Sequence, residues 1–284
     1  MTETRNTRKQ GARVFAALGT SDSVAALARQ ALFRLIYVAL AAATATDFAQ
    51  VPDSTGSEPN STQWEQQLTG MEARMKKALD SFRLPSEYRG LCAEHRQHDR
   101  AIAFFRDLVS AQPESWRPHL ELSCAYVDKI PTCKGVTALI NQGALAGKAL
   151  EQADIVVAKH PDQWVSYYAR GLNHLNWPRA FRHSEGAITD LTRCIEIQGR
   201  QGGQGGKSYY LRVHVALGDA CTKAGKYKEA REAWQRGLKV FPNSQELKAR
   251  LDTKDDNAQL AYVESQRSLD KPVDTSLAFL DEER

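Results

Sequence analysis

The sequence predicts an all-α fold, a right-handed α-solenoid of stacked helical hairpins, from three observations. Four segments open on alanine and close on proline or glycine twelve residues later. A second helical segment precedes each of them. The contents of apolar (42%) and charged (25%) residues over 284 residues are typical of a soluble protein with a sizeable core.

The four segments align residue for residue. They are AIAFFRDLVSAQP (101–113), ALEQADIVVAKHP (149–161), AITDLTRCIEIQG (187–199) and AREAWQRGLKVFP (230–242). The opening alanine and the residue four positions later share one helix face, so a neighbouring helix can approach closely beside the larger side chain. The closing proline of three segments cannot continue a helix. Because one hairpin cannot bury its apolar face alone, at least three have to stack.

The first helix of the hairpin is clearest before the last segment, in YYLRVHVALGDACTKAGKYKEA (209–230). There Leu217-Gly218 places a small residue at a predicted helix crossing, and Ala224-Gly225 marks the turn. Its earlier counterparts are SWRPHLELSCAYV (115–127) and DQWVSYYARGLNHL (162–175). About 14 residues near 130–143 are expected to lengthen the turn of the second hairpin.

These residues resemble the tetratricopeptide repeat family, whose unit is a helix-turn-helix of about 34 residues. The resemblance covers roughly 82–251 and is strongest at 211–244. The residues that fall where the family pattern puts them are Leu217, Gly218, Gly225, Tyr227, Ala230, Trp234 and Pro242. Cys221 and His214 replace the usual tyrosine and tryptophan, and the first three repeats are degenerate.

The predicted organisation has four parts. They are a signal or targeting segment (1–45), a linker (46–63), the helical solenoid (64–251) and a polar C-terminal tail (252–284). The predicted repeats of the solenoid are about 82–113, 116–161, 164–199 and 211–244. A helix is expected before the first repeat, and a capping helix at 245–251. One hypothesis for the tail is that SLAFL (276–280) occupies the groove of its own solenoid as an autoinhibitory ligand.

The N-terminal segment combines basic residues with the uncharged stretch LIYVALAAATA (35–45). That stretch is short for a membrane span and is typical of a secretory signal, with Ala43-Thr44-Ala45 as the cleavage site. We therefore predict export to the periplasm or envelope; without a signal the protein is cytoplasmic. A transit peptide and an amphipathic helix packed on the body are the alternatives. Membrane contact is expected only through this segment, if it is uncleaved.

The net charge of +4 arises in the N-terminal segment. Residues 1–45 hold six basic and two acidic residues, which leaves 32 of each from the totals of 38 and 34. The rest of the chain is therefore neutral and lacks the positive bias of a protein that binds the phosphate backbone. We predict no nucleic-acid partner.

The stretch GGQGGKSYY (202–210) looks like the end of a phosphate-binding loop. The motif G-x-x-x-x-G-K-[ST] requires glycine five positions before Gly206, where Gln201 stands. It also requires a preceding strand, whereas DLTRCIEIQ is typical of a helix. A flexible linker between repeats is favoured. A nucleotide-dependent enzyme built on 199–208 is the weaker alternative.

Other chemistry has little support in the sequence. No Ser-His-Asp order, HExxH motif or paired carboxylates stand out, so no catalytic residue, cofactor or metal is predicted. Cys92, His95 and His98 share a spacing that suits a metal on one helix, but they cross a predicted turn. Cys124 and Cys133 could approach each other across the lengthened turn of the second hairpin.

The resemblance implies that the first helix of each repeat lines a concave groove, which holds a peptide or helix from a protein partner. By helical phase, the groove-facing candidates are Arg117, Leu120, Cys124, Tyr168, Leu172, Leu175, Arg212, Val215, Asp219 and Lys223. Packing between repeats is the alternative for each of them. The predicted function is a protein-interaction scaffold or adaptor, and a structural subunit of a larger complex is the other alternative.

Overall fold

The computed structural model describes residues 61–200, 207–267 and 271–281, except for the side chains of the first two. These residues form eleven α-helices and no β-strand. The helices are α1 (Ser61–Lys77), α2 (Arg83–Glu94), α3 (His98–Ala111), α4 (Trp116–Lys129), α5 (Ala138–Lys159), α6 (Trp164–Asn176), α7 (Ser184–Arg200), α8 (Tyr210–Lys223), α9 (Tyr227–Val240), α10 (Gln245–Leu251) and α11 (Asp256–Gln266). The predicted all-α solenoid is confirmed.

The helices pack as four consecutive hairpins, α2–α3, α4–α5, α6–α7 and α8–α9. The second helix of each hairpin also packs against the first helix of the next one. In addition, the first helices contact one another along the series, α2 with α4, α4 with α6 and α6 with α8. We call the surface formed by these four first helices the inner face.

The core lies between the hairpins, in two clusters that meet at α4. Leu122 and Ala125 pack with the first hairpin and α1, whereas Leu120 and Cys124 pack with the later hairpins. Because α4 is apolar on both sides, it joins the two clusters into one continuous stack, as a repeat protein requires.

The last hairpin is held by the pair that the sequence placed at a helix crossing. Trp234 is fully buried, and its indole Nε1 donates to the carbonyl oxygen of Val215 at 3.2 Å. A methyl group on Gly218 would lie 2.0 Å from that nitrogen, so only glycine fits between α8 and α9. The repeat spacing therefore reflects a real close approach of two helices.

The turns of the first and last hairpins share one geometry. After α8, Gly225 has a φ of +80°, and Lys226 N donates to Cys221 O at 2.8 Å. After α2, Arg96 has a φ of +57°, and Gln97 N donates to Cys92 O at 2.6 Å. A residue with left-handed backbone angles thus follows the first helix of each of these two hairpins. The degenerate first repeat therefore keeps the turn of the last one.

The lengthened turn of the second hairpin is shorter than the sequence predicts. A 3₁₀ turn occupies Ile130–Thr132, and α5 begins at Ala138, inside the stretch expected to be a turn. Because alanine, leucine and glutamine favour helix, α5 begins early and reaches 22 residues. The extra length exposes Leu139 and Ile140, each more than half accessible to solvent.

Two short helices close the C-terminal end. Ser244 caps α10, and Asp255 caps α11 through a 2.8 Å bond from Ala258 N. Leu247 and Val263 are fully buried against the last hairpin. The predicted capping helix is thus present at 245–251, and a second one follows it within the predicted tail.

Candidate functional site

The inner face carries a segment of the same chain. Residues 271–281 leave the C-terminal end of the stack and run back to the first hairpin, without helix until the 3₁₀ turn Ala278–Leu280. The segment meets α8 at Asp274 and reaches the start of α2 at Asp281. The hypothesis that 276–280 lies on the inner face is confirmed as to position; inhibition stays a prediction.

Four of the predicted groove residues border this segment. Cys124, Tyr168 and Leu172 line a small cavity together with residues 273–275 and Leu277. Arg212, on α8, pairs with the carboxylate of Asp274 at 2.6 Å and lies 4.7 Å from the centre of the Phe279 ring. The arrangement is apolar in the middle and basic at one end.

Burial controls the acidity of the groups around the cavity. It raises the pKa of the Cys124 thiol to about 11, and it raises the pKa of Tyr168 to about 12. Both groups are therefore neutral at physiological pH. These two side chains therefore give the cavity a neutral lining and no reactive thiolate.

Three other predicted groove residues lie in the core. Leu120, Leu175 and Val215 are each less than 5% accessible and belong to the main apolar cluster. They are on the first helices, as predicted, but their side chains are covered by neighbouring helices. For these residues the structure favours the alternative reading, packing between repeats.

Asp219 and Lys223 are buried by polar contacts within the protein. Asp219 accepts from Arg250 at 2.6 Å and from Arg267 at 3.0 Å, so the C-terminal helices cover it. Lys223 donates to the carbonyl oxygens of Leu175 (2.6 Å) and Trp177 (2.7 Å). Burial lowers the pKa of Lys223 to about 8. Lys223 thus joins the last two hairpins, and Asp219 joins the last hairpin to the C-terminal helices, where the sequence placed both facing a partner.

The tenth predicted residue, Arg117, lies at the N-terminal end of α4. Its guanidinium is 4.1 Å from the centre of the Phe82 ring and 5.2 Å from that of Trp116. Phe82 N donates to Asp281, so this cation–π cluster adjoins the end of the C-terminal segment.

Arg89 is a central residue of the inner face that the sequence did not single out. It is 3% accessible and pairs with Glu121 and with Asp128, the latter at 2.9 Å. Its remaining nitrogen donates to the carbonyl oxygen of Thr275 at 2.8 Å. The only signal in the sequence is an arginine at an inward position of an amphipathic helix, which becomes informative once the carboxylates on α4 are known to face it.

The other candidate sites do not assemble. His95 stacks on Trp64, with 4.5 Å between ring centres, while Cys92 is buried in the first hairpin. Within the described ranges, no group of three or more His, Cys, Asp or Glu side chains is placed to hold a metal ion. All five cysteines fall in those ranges and are free thiols, Cys124 and Cys133 included.

Two sequence predictions fall on parts of the chain that the structure does not describe. The glycine-rich stretch 201–206 lies outside the described residues, but α7 precedes it and α8 follows it, so helices flank it on both sides. The predicted targeting segment (1–45) and most of the predicted linker also lie outside them. Among the described helices, none has the length and hydropathy needed to cross a bilayer.

Comparison with known proteins gives one family match. The tetratricopeptide repeat model matches residues 211–244, the last hairpin. The search of curated proteins found no relative of this sequence. In the matched hairpin the pattern residues Gly218, Gly225 and Trp234 are those whose packing and turn geometry are given above.

Three solved structures show a remote similarity. One is a thermophilic TPR protein of Thermus thermophilus, at 16% identity over 67% of this chain and 89% of the other, with a TM-score of 0.48. The second is MamA, at 18% identity over 68% and 92%, with a TM-score of 0.42. The third, MamA of MSR-1, has 17% identity over 67% and 89%, with a TM-score of 0.39. Similarities of this size assign no function to the chain.

Proposed function

We propose that this chain, a member of the tetratricopeptide repeat family, is a scaffold that binds a peptide segment of a protein partner on its inner face. The fold is in general a scaffold for protein–protein interaction and is typically not an enzyme. One observation carries the finer proposal: the inner face already binds a segment without an α-helix, residues 271–281 of the same chain.

The contacts of that segment are of the kind that protein surfaces use for peptides. Main-chain groups are bound by polar side chains of the first helices, at Thr275 by Arg89 and at Leu277 by Ser86. One apolar side chain, that of Leu277, is 3% accessible and serves as the anchor. Main-chain bonds with a buried apolar anchor give affinity together with choice of sequence.

A photo-crosslinking experiment tests the proposal in the cells that produce the protein. A photoreactive phenylalanine analogue replaces Arg212 on the inner face or, as the matched control, the exposed Lys239 on the outer helix α9. We expect one dominant adduct from position 212 that is absent from position 239, because only the inner face holds the partner.

Adducts with several different chains from both positions would instead favour the structural-subunit alternative. The same analogue at Leu172, which lines the cavity and leaves Arg212 in place, gives a second inner-face position. If neither position 212 nor position 172 gives an adduct while the folded protein is present, the scaffold proposal fails for this face. The compartment is a separate proposal, export through residues 1–45, and N-terminal sequencing of the mature protein tests it.

A further inference from the structure

We infer that the inner face selects an acidic peptide with a hydroxyl residue, a buried leucine and an aromatic residue, and that the segment Asp274–Asp281 is its resident competitor. The inference rests on the proposed function and goes further, because it states the chemistry of the partner and the reason that the face is occupied. Positions 274, 275, 277, 279 and 281 of the resident segment each meet a side chain or helix end suited to them.

The two acidic positions face positive groups. Asp274 pairs with Arg212 at 2.6 Å. Asp281 lies at the start of α2, where its Oδ2 accepts from Ser81 Oγ (2.7 Å) and from the main-chain nitrogens of Phe82 (2.6 Å) and Arg83 (2.8 Å). The N-terminus of a helix favours a carboxylate through its unpaired N–H groups and its dipole. An acidic ligand therefore complements both ends of the site.

The hydroxyl position is set by a pair on the first helices, the buried Arg89 and the partly exposed Asp128. Arg89 is held by Asp128 and donates to the carbonyl oxygen of Thr275, and the hydroxyl of Thr275 donates back to Asp128. A carboxylate in that place accepts from a hydroxyl group but repels an acidic side chain. Asp128 therefore favours a hydroxyl side chain over an acidic one at the position of Thr275. Arg89 does not select the side chain there, because it binds the main-chain carbonyl oxygen that every residue has.

The leucine position fills the apolar cavity, and the aromatic position packs beside Arg212. Leu277 is nearly inaccessible and shares a cavity with Cys124, Tyr168 and Leu172. Its main-chain nitrogen donates to Ser86 Oγ at 3.0 Å, which fixes the depth at which the side chain enters. Phe279 packs with Tyr209, at 5.5 Å between ring centres, and against the guanidinium of Arg212.

An apolar pocket adjoins the start of the resident segment. A partner peptide that fills this pocket can bind more tightly than the resident segment. Val273 and Lys271 contribute to its lining, and Leu139, Trp177 and Phe181 are among the other residues that line it. Leu139 and Phe181 remain 58% and 45% accessible with the segment in place. A partner peptide that continues past the position of Val273 with an apolar residue therefore gains contacts that the resident segment leaves unused.

The experiment uses the full-length chain with the resident segment released by Asp274→Ala, Leu277→Ala and Phe279→Ala. The probe is a fluorescein-labelled peptide of residues 271–284, KPVDTSLAFLDEER, with a scrambled peptide as control, measured by fluorescence anisotropy. We expect the released variant to bind the probe and the wild type to bind it at least about tenfold more weakly. A tethered competitor acts at an effective concentration of roughly millimolar order. Equal binding by both proteins would show that the segment does not compete.

A charge exchange tests the acidic position. Adding Arg212→Glu to the released variant is expected to weaken the probe at least about fivefold, and a probe carrying Asp274→Lys is expected to recover most of that loss. Loss without recovery would mean that the arginine acts through the fold and would overturn the charge assignment.

A random peptide library selected on the released variant separates this inference from the proposed function. Enriched peptides with an acidic residue three positions before a leucine support the inference. Enriched peptides that lack the pattern, yet compete with the probe, leave the scaffold standing and overturn the selectivity. If no peptide binds a variant that circular dichroism shows to be folded, the proposed function fails as well.

Discussion

At the scale of single residues, the fold depends on places where the packing of a neighbouring helix leaves no room for a Cβ atom. Gly218 is one of them, because Trp234 of the facing helix occupies the space that a Cβ atom would need. Gly147, in the middle of α5, is the opposite case, since an added Cβ would meet nothing within 4 Å. The pair shows that glycines in these helices differ in role, and the repeat spacing identified the first one.

We predict that Gly218→Ala destabilises the protein by about 3 kcal/mol, at the upper end of the range for overpacking, because the indole of Trp234 has to move. The matched control, Gly147→Ala, is expected to stabilise by about 0.5–1 kcal/mol through its better helix propensity. Urea denaturation followed by circular dichroism measures both. If the two substitutions have the same sign, the close approach of α8 and α9 is not what holds this hairpin.

The buried charged residues could not be predicted correctly from the sequence. The partners of Asp219 and Lys223 come from other hairpins or from the C-terminal helices, so the phase of one helix could not reveal that these charges are covered. Arg89 escaped notice for the same reason, since Glu121 and Asp128 belong to the next first helix. Patterns within one helix identify its apolar stripe, whereas polar partners distant in the chain require the packed structure.

At the scale of elements, the second and third repeats differ from the last one in their turns, whereas the first repeat keeps the same turn. The third hairpin closes its longer turn with an aromatic cluster in which His183 stacks on Trp177, with ring centres 4.2 Å apart. Nδ1 of His183 lies 2.8 Å from Nδ1 of His174, so one ring donates and the other accepts while both are neutral. The hydrogen bond across this turn therefore forms when both imidazole rings are neutral.

Stability should consequently depend on pH through this turn. Burial, together with the nearby His174, lowers the pKa of His183 from its usual 6.5 to about 4. Above pH 6.5 both folded and unfolded chains hold this ring neutral; between 6.5 and 4 only the unfolded chain takes up the proton, so stability falls as the pH falls. The free energy of unfolding changes by well below about 1.4 kcal/mol per pH unit, because the His183 ring is partly exposed to solvent.

The variant His183→Asn keeps a polar group beside His174 and cannot titrate. We expect the thermal midpoint of the wild type to fall relative to that of the variant as the pH is lowered from 6.5 to 4. Measurements at pH 7.5, where the imidazole is neutral, give the constant offset between the two proteins. An offset that stays constant down to pH 4 would show that the ring is not protected from protonation.

At the scale of the whole molecule, the described helices form one stack whose ends are linked by the C-terminal segment. The stacking of hairpins was predictable from the sequence, because alanine, glycine and proline recur at a fixed interval. These residues mark close contacts between neighbouring helices and the ends of helices. The path of residues 271–281 was only a hypothesis, because a short segment without an α-helix has no periodic pattern from which its binding site can be predicted. Its contacts with α2 span almost 200 positions of the chain.

The contact between the C-terminal segment and the start of α2 predicts that a change in one affects the other. The amides of Phe82 and Arg83 donate to Asp281, and Leu277 is the apolar anchor that keeps Asp281 in place. We expect Leu277→Ala to speed hydrogen exchange of those two amides at least about tenfold, as local opening becomes easier, and to lower global stability by about 2 kcal/mol. The exposed neighbour in the same segment supplies the control, since Ser276→Ala removes no buried surface and should leave both amides protected. Unchanged exchange in Leu277→Ala would mean that α2 keeps its cap without the anchor, and that the segment does not join the two ends of the stack.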